Sequence, residues 1–182
     1  MVNTALKGTD FRLSEKIAQI KVVITDNDGV LTDTGVYYSS DGEELKRYSV
    51  RDGMGVERLR TLTGIDTMII TGENSPSLVK RAEKLRIKNL FLNARNKIEV
   101  LHQILNDSYL SYENFAYIGD DYNDLEILSL AGLSGCPADA MLAVKAQVDY
   151  ICHAPGGFGA FREFAELIIH HKTTNRNLPY GL

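Results

Sequence analysis

The stretch Ile20–Gly29, IKVVITDNDG, decides how this chain is read. Ile20–Thr25 is a short apolar, β-branched run, and Asp26-Asn27-Asp28-Gly29 ends it with turn formers. Strands buried on both faces of a parallel sheet read this way. Five further runs share the character: Thr67–Thr71, Asn89–Leu92, Phe115–Ile118, Leu133–Gly135 and Tyr150–Cys152. Between them fall segments of helical period: Gly55–Leu62, Ser75–Leu85, Lys97–Leu105, Leu125–Ala131, Ala140–Ala146 and Phe161–His171. Gly64 and Gly132 follow two of these and are expected as their C′ residues. Alternating strands and helices predict an α/β fold, a central parallel sheet with helices on both faces.

One segment interrupts the alternation. Gly35–Val50, GVYYSSDGEELKRYSV, holds two patterned strands around Asp41-Gly42, and Asp-Gly between strands signals a hairpin. A β-hairpin insertion is expected after the first strand. Thr173–Leu182 is polar with Pro and Gly and reads as an irregular tail. No repeat or Pro/Gly/Ser linker divides the 182 residues, so one domain over 1–182 is expected.

Composition narrows the function. Lys and Arg number 20 against 24 Asp and Glu, so a generally basic nucleic-acid binder is excluded. Two cysteines, Cys136 and Cys152, form neither a disulfide scaffold nor a C-x-x-C metal knuckle. No apolar run is long enough for a membrane span, and the N-terminus lacks an apolar signal core. A cytoplasmic protein is expected.

The chemistry-bearing residues lie at strand ends, where open parallel sheets bind ligands. Asp26 and Asp28 follow the first strand, and Thr71 ends the second. Asp120 and Asp121 follow Ile118, with Asp124 three residues beyond Asp121, and Lys97 opens a helix. Taken singly, each has a plainer role. Asp-x-Asp-Gly makes a turn, Thr71 caps a helix, Lys97 is a solvated surface residue, and Asp120-Asp121 is an N-cap. Taken together, they all sit at strand ends or helix starts, a coincidence that capping does not readily give. Carboxylates without His or Cys favour a hard cation such as Mg²⁺, and a hydroxyl with a lysine suits phosphate oxygens. The set fits phosphoryl transfer.

Four stretches carry a resemblance: DNDGVLTD (Asp26–Asp33), IITG (Ile69–Gly72), Lys97 and GDDYND (Gly119–Asp124). In this order they resemble the four motifs of the haloacid dehalogenase (HAD) superfamily of phosphotransferases. GEELKRYSVRDGMG (Gly42–Gly55), Arg81–Leu85, GDDYNDLEIL (Gly119–Leu128) and GGFGAFREF (Gly156–Phe164) are more narrowly similar to a capless group. Those phosphatases act on 3-deoxy-D-manno-octulosonate (KDO) 8-phosphate and on nine-carbon nononate 9-phosphates. The C-terminal domain of animal sialic acid cytidylyltransferases looks similar too.

The resemblance implies a Rossmann-like HAD fold and a set of roles. Asp26 would be the nucleophile, forming an aspartyl-phosphate, and Asp28 the general acid and base. Asp26, the Asp28 backbone carbonyl and Asp120 would hold Mg²⁺, with Asp121 and Asp124 as outer acids. Thr71 and Lys97 would bind the phosphoryl group. Ser49, Arg51, Asp52, Gly53, Gly72, Glu73 and Arg81 would contact a phosphorylated sugar acid. The related phosphatases are tetramers whose hairpins build a central barrel, so a homotetramer is implied. The tail would enter a neighbour's site. One position departs from the octulosonate pattern: Glu73 stands where Arg is expected after IITG, and the nine-carbon enzymes match better there.

Three other readings compete. A signalling receiver also gathers acids, a hydroxyl and a lysine, but its lysine follows the last of these strands, whereas Lys97 precedes Asp120. A non-catalytic HAD-like assembly domain would have broken motifs, and all four are whole here. A phosphatase of another small phosphometabolite is the third.

Overall fold

The computed structural model describes residues 12–174. Six parallel strands form the central sheet, in the order β5-β4-β1-β6-β7-β8. They are β1 (Val22–Thr25), β4 (Asp66–Ile70), β5 (Leu90–Phe91), β6 (Phe115–Ile118), β7 (Leu133–Cys136) and β8 (Tyr150–Ile151). β2 (Thr32–Ser39) and β3 (Gly42–Tyr48) make a separate antiparallel pair, the expected hairpin. The helices are α1 (12–19), α2 (Val50–Thr63), α3 (Pro76–Leu85), α4 (Lys97–Ser108), α5 (Leu125–Leu130), α6 (Leu142–Lys145) and α7 (Ala160–Thr174).

Side chains that alternate along the strands divide the core into two layers. Val23 of β1 with Ala116 and Ile118 of β6 meets Ile17, Leu59, Leu78, Phe161 and Phe164 on one face. Val22 and Ile24 with Phe115 and Tyr117 meet Leu101, Ile104, Ile127 and Val144 on the other. Both faces of β1 and β6 are therefore dry, which explains why the strands read as unbroken apolar runs. β1 is central, hydrogen-bonded in parallel to β4 and β6. The segments leaving those three strands must emerge side by side.

Boundaries moved where packing overrode local pattern. The first long helix begins at Val50, not Gly55, with Ser49 as N-cap accepting from the amides of Arg51 and Asp52 at 3.1 and 3.4 Å. Gly53 and Gly55 lie inside it, where glycine is ordinarily unfavourable. A Cβ on Gly55 would come within 2.9 Å of the Arg162 Cα, so the close seating of α2 on α7 requires the glycine. The hairpin begins at Thr32 rather than Gly35, and α1 has no counterpart among the expected elements. Gly64 is the left-handed cap expected after α2, with φ 76°. Gly132 is not a cap: α5 ends through Ala131 in extended backbone, and a Cβ on Gly132 would meet the Glu113 carbonyl at 2.5 Å. Thr173 and Thr174 close α7, and the rest of the expected tail, 175–182, lies outside the described residues. No helix among the described residues is long and apolar enough to cross a membrane.

Candidate active site

Asp26 follows β1 directly, its amide bonded to the Ile118 carbonyl at 3.0 Å, so the loop leaves the sheet in register with β6. Its side chain is buried, and so are Lys97 and Asp124. Lys97 Nζ donates to Asp26 Oδ2 and to Asp124 Oδ1, both at 2.7 Å. It also lies 3.3 Å from the Tyr117 hydroxyl, which donates to Asp124 Oδ1 at 2.6 Å. The surface-lysine reading of Lys97 is therefore excluded: Asn96 caps α4, and the lysine turns into the site.

Asp120 leaves β6 and Asp124 ends the short 3₁₀ turn Tyr122–Asp124. Asp124 Oδ2 accepts from the amides of Asp120 and Asp121 at 3.0 and 3.4 Å, which bends the segment so that Asp120 faces Asp26. Carboxylate oxygens of Asp26, Asp120 and Asp124 lie within 4.8 Å of one another. Asp28 and Asp121 stand outside that cluster. Asp121 is exposed and caps the 3₁₀ turn, accepting from the Tyr122 amide at 2.6 Å. The N-cap reading thus holds for Asp121, while Asp120 belongs to the cluster.

Gly29 makes this proximity possible. It sits at φ +83°, and a Cβ there would fall 2.0 Å from Asp120 Oδ2. Only glycine lets the loop after β1 turn back against the loop after β6.

Three carboxylates around one ammonium leave an excess of negative charge. Burial, together with Asp124, pushes the Asp26 carboxyl up to about 7 despite the opposing pull of Lys97. Burial and the neighbouring Asp26, Asp124 and Asp121 push Asp120 up to about 8. Burial would lower Lys97, but Asp26 and Asp124 outweigh it and raise its affinity for the proton. Such a set is relieved by one hard divalent cation, and its donors are all oxygen. The residues present fit that group.

Thr71 follows β4, buried at 2% exposure, and its hydroxyl accepts from the Glu73 amide at 3.2 Å. It does not cap α3; Ser75 does, accepting from the Leu78 amide at 3.4 Å. Gly72 and Glu73 are exposed beside it. Around the start of α2 the structure gathers Ser49, Gly53 and Arg81. Arg81 donates to the Ser49 carbonyl at 2.7 Å and crosses the Tyr48 ring with its guanidinium 5.7 Å from the centroid. A Cβ on Gly53 would press on that guanidinium. Arg51 is exposed. Asp52 faces elsewhere: it is buried and accepts from the Gly159 and Arg162 amides at 3.1 and 2.9 Å. Both its oxygens thus anchor the start of α7, so it supports the GGFG segment from beneath instead of reaching for the sugar acid.

Sequence reasoning missed two participants. Tyr117 lies in an apolar strand, and the one signal for its hydroxyl is that a buried tyrosine needs a polar partner, here Asp124. Lys46 of β3 reaches Asp28 Oδ2 at 2.8 Å. Its hairpin alternation was legible, but its partner across the site was not.

Residues 86–155 match the model of the haloacid dehalogenase-like hydrolases. The 3-deoxy-D-manno-octulosonate 8-phosphate phosphatase KdsC of Haemophilus influenzae is 39% identical over 157 residues, covering 86% of this chain and 87% of its own. The cobalt-bound structure of the Haemophilus influenzae deoxy-D-mannose-octulosonate 8-phosphate phosphatase (YrbI) aligns with TM-score 0.83 at 39% identity, covering 86% of this chain and 91% of that one. The Moraxella catarrhalis 3-deoxy-D-manno-octulosonate 8-phosphate phosphatase, solved with magnesium, phosphate and KDO, aligns with TM-score 0.85 at 33% identity, covering 90% and 94%. With the motifs brought together at the ends of β1, β4 and β6, the chain belongs to the haloacid dehalogenase-like hydrolases, as a phosphatase of the KdsC-like group.

Proposed function

We propose that the protein is a Mg²⁺-dependent phosphomonoesterase acting on a phosphorylated 2-keto-3-deoxy sugar acid, in the first place KDO 8-phosphate. The observation that carries this is the buried Asp26–Lys97–Asp124 triad beside Asp120, in a chain more than a third identical to KdsC phosphatases over most of its length. Nine-carbon nononate 9-phosphates are the second reading, and Glu73 favours them. It stands exposed beside Thr71, where a carboxylate can accept from the hydroxyls of a longer sugar chain.

Asp26 and Asp120, with the Asp28 backbone carbonyl, would hold Mg²⁺, and Asp124 and Asp121 orient what surrounds it. The bound cation supplies charge neutralisation for the phosphoryl oxygens. Lys97 opposes the upward push of burial on Asp26 and offers a further positive charge to the transferring group. Thr71 binds a phosphoryl oxygen through its hydroxyl. The Asp26 carboxylate attacks phosphorus while the bond to the sugar oxygen breaks. Asp28, as the acid, gives that oxygen its proton. Asp28, now the base, then takes a proton from water as water attacks the aspartyl-phosphate, and phosphate leaves. Ser49, Arg51, Gly53, Gly72, Glu73 and Arg81 border the sugar.

The hairpin supports an assembled enzyme. Tyr37, Tyr38 and Leu45 are 63%, 71% and 62% exposed on a two-stranded ribbon separate from the central sheet. Ribbons of this kind are marginal alone and their exposed apolar edges seek partners. With the resemblance to tetrameric phosphatases, this supports reading the enzyme as a homotetramer in the cytoplasm, each site closed by a neighbour. Nothing in this reading involves nucleic acid or membrane.

The test is phosphate release in Mg²⁺ from KDO 8-phosphate, nononate 9-phosphates and a panel of common sugar and nucleotide monophosphates. One of the two sugar acids should exceed every panel member in kcat/KM. Preference for an ordinary sugar phosphate or nucleotide would overturn the substrate assignment.

A further inference from the structure

Lys46 is an unusual hairpin residue, because its side chain is only 2% exposed. Lysines on two-stranded ribbons are normally solvated, and burying an ammonium is costly unless it is paired. Its Nζ lies 2.8 Å from Asp28 Oδ2 and 3.4 Å from Glu43 Oε2. Glu43 Oε1 accepts in turn from the Ser75 and Ser77 hydroxyls at 2.5 and 3.0 Å, at the start of α3. These contacts run from the loop after β1, through the hairpin, to the segment after β4.

The two oxygens of Asp28 are held by different parts of the chain. Oδ1 accepts from its own loop, Asn27 Nδ2 at 3.0 Å and Thr32 Oγ1 at 3.2 Å. Oδ2 is held by Lys46 of the hairpin. The terminal torsion of an aspartate is broad, so a carboxyl gripped by one oxygen still swings. Lys46 supplies the second grip. Asp26 has its own lysine, Lys97, so the two catalytic carboxylates are served by separate cations.

We propose that Lys46 is a positioning residue for Asp28, fixing its carboxyl for both proton transfers, and that Glu43, Ser75 and Ser77 seat the lysine. The inference rests on Asp28 being the acid and base proposed above. The hairpin then does more than assemble subunits: its own β3 steadies the proton-transfer group.

Leaving-group dependence separates this role from simple structural support. An alkyl phosphate needs its departing oxygen protonated, whereas p-nitrophenolate leaves without help. For both substrates kcat/KM reports the steps up to departure. With the aryl substrate, kcat reports hydrolysis of the phosphoenzyme, where Asp28 is the base. Lys46→Met keeps much of the stem and removes the charge, and Lys46→Arg keeps the charge. In Lys46→Met, kcat/KM for KDO 8-phosphate or its nine-carbon counterpart should fall roughly 10- to 100-fold, part of a proton-transfer group's usual contribution. For p-nitrophenyl phosphate kcat/KM should change less than about threefold while kcat falls, the pattern of a lost proton-transfer step. Lys46→Arg should recover most of the loss, and Glu43→Gln should show a weaker form of it.

Equal losses of kcat/KM on both substrates, or no loss, would overturn the proposal. Asp28→Asn is assayed alongside. If it discriminates sharply between the leaving groups and Lys46→Met does not, only the role of Lys46 fails. If Asp28→Asn does not discriminate either, the acid–base reading of Asp28 fails and takes this inference with it.

Discussion

Asp26→Asn should lower phosphate release by roughly 10⁴-fold or more, the order of loss seen when a hydrolase loses its nucleophile. The amide matches the carboxylate in shape but cannot form the aspartyl-phosphate. The fold should survive. Burial disfavours the charged form of Asp26, so a neutral isostere relieves part of that penalty even as the ion pair with Lys97 is lost. Lys97 keeps Asp124 and the Tyr117 hydroxyl as partners. The melting temperature should therefore shift by only a few degrees, since a change of about 1 kcal/mol moves a domain of this size by roughly 2–4 °C. A variant that kept a tenth of the activity would refute covalent catalysis at Asp26.

Removing divalent cations should have an effect as large. After exhaustive chelation, turnover should be undetectable; Mg²⁺ should restore it, and Ca²⁺ should do so poorly because its longer, looser coordination misplaces the attack. Stability gives an independent readout. Asp26 and Asp120 are raised from 3.8 to about 7 and about 8. A carboxyl held above its unfolded value contributes stability below pH 3.8, and that contribution is lost as pH rises through the folded value. The cation-free protein should thus lose stability between about pH 4 and pH 8 through these groups. Mg²⁺ should raise the melting temperature more at pH 8 than at pH 5, and Asp120→Asn should blunt the difference. Equal stabilisation at both pH values, or full activity in chelator, would contradict the cation site.

Much of this was legible because the fold and the chemistry share one cause. β1 and β6 are buried throughout and β4 at its C-terminal end, so they read as apolar runs, and the acids and the hydroxyl of the site follow where these strands end. Asp26, Thr71 and Asp120 were visible for that reason, and Lys97 as the opening residue of a helical pattern. What escaped depends on contacts distant in sequence. The local pattern starts the helix only at Gly55 and leaves Val50 in the hairpin, yet Asp52 bonding to the amides of α7 and the close seating of Gly55 extend the helix back to Val50. The hairpin pattern is legible only from Gly35, but the strand starts at Thr32 through an irregular register, with Thr34 at φ 65°. The pairing of Lys46 with Asp28 spans 18 residues and arises only when the hairpin folds back, so no local period announces it. Asp52 shows the converse error: a charged residue beside a site can serve the backbone beneath it.

The proposed chemistry predicts an intermediate that can be caught. In Asp28→Asn the aryl substrate should still phosphorylate Asp26, because p-nitrophenolate needs no proton, but water should lack its base. With Mg²⁺ and excess p-nitrophenyl phosphate, this variant should release one p-nitrophenolate per active site in a burst and then nearly stop. Borohydride added after the burst should reduce the acyl phosphate and leave homoserine at position 26, visible as a peptide mass change. No burst, or a burst with Asp26 left unmodified, would contradict the account.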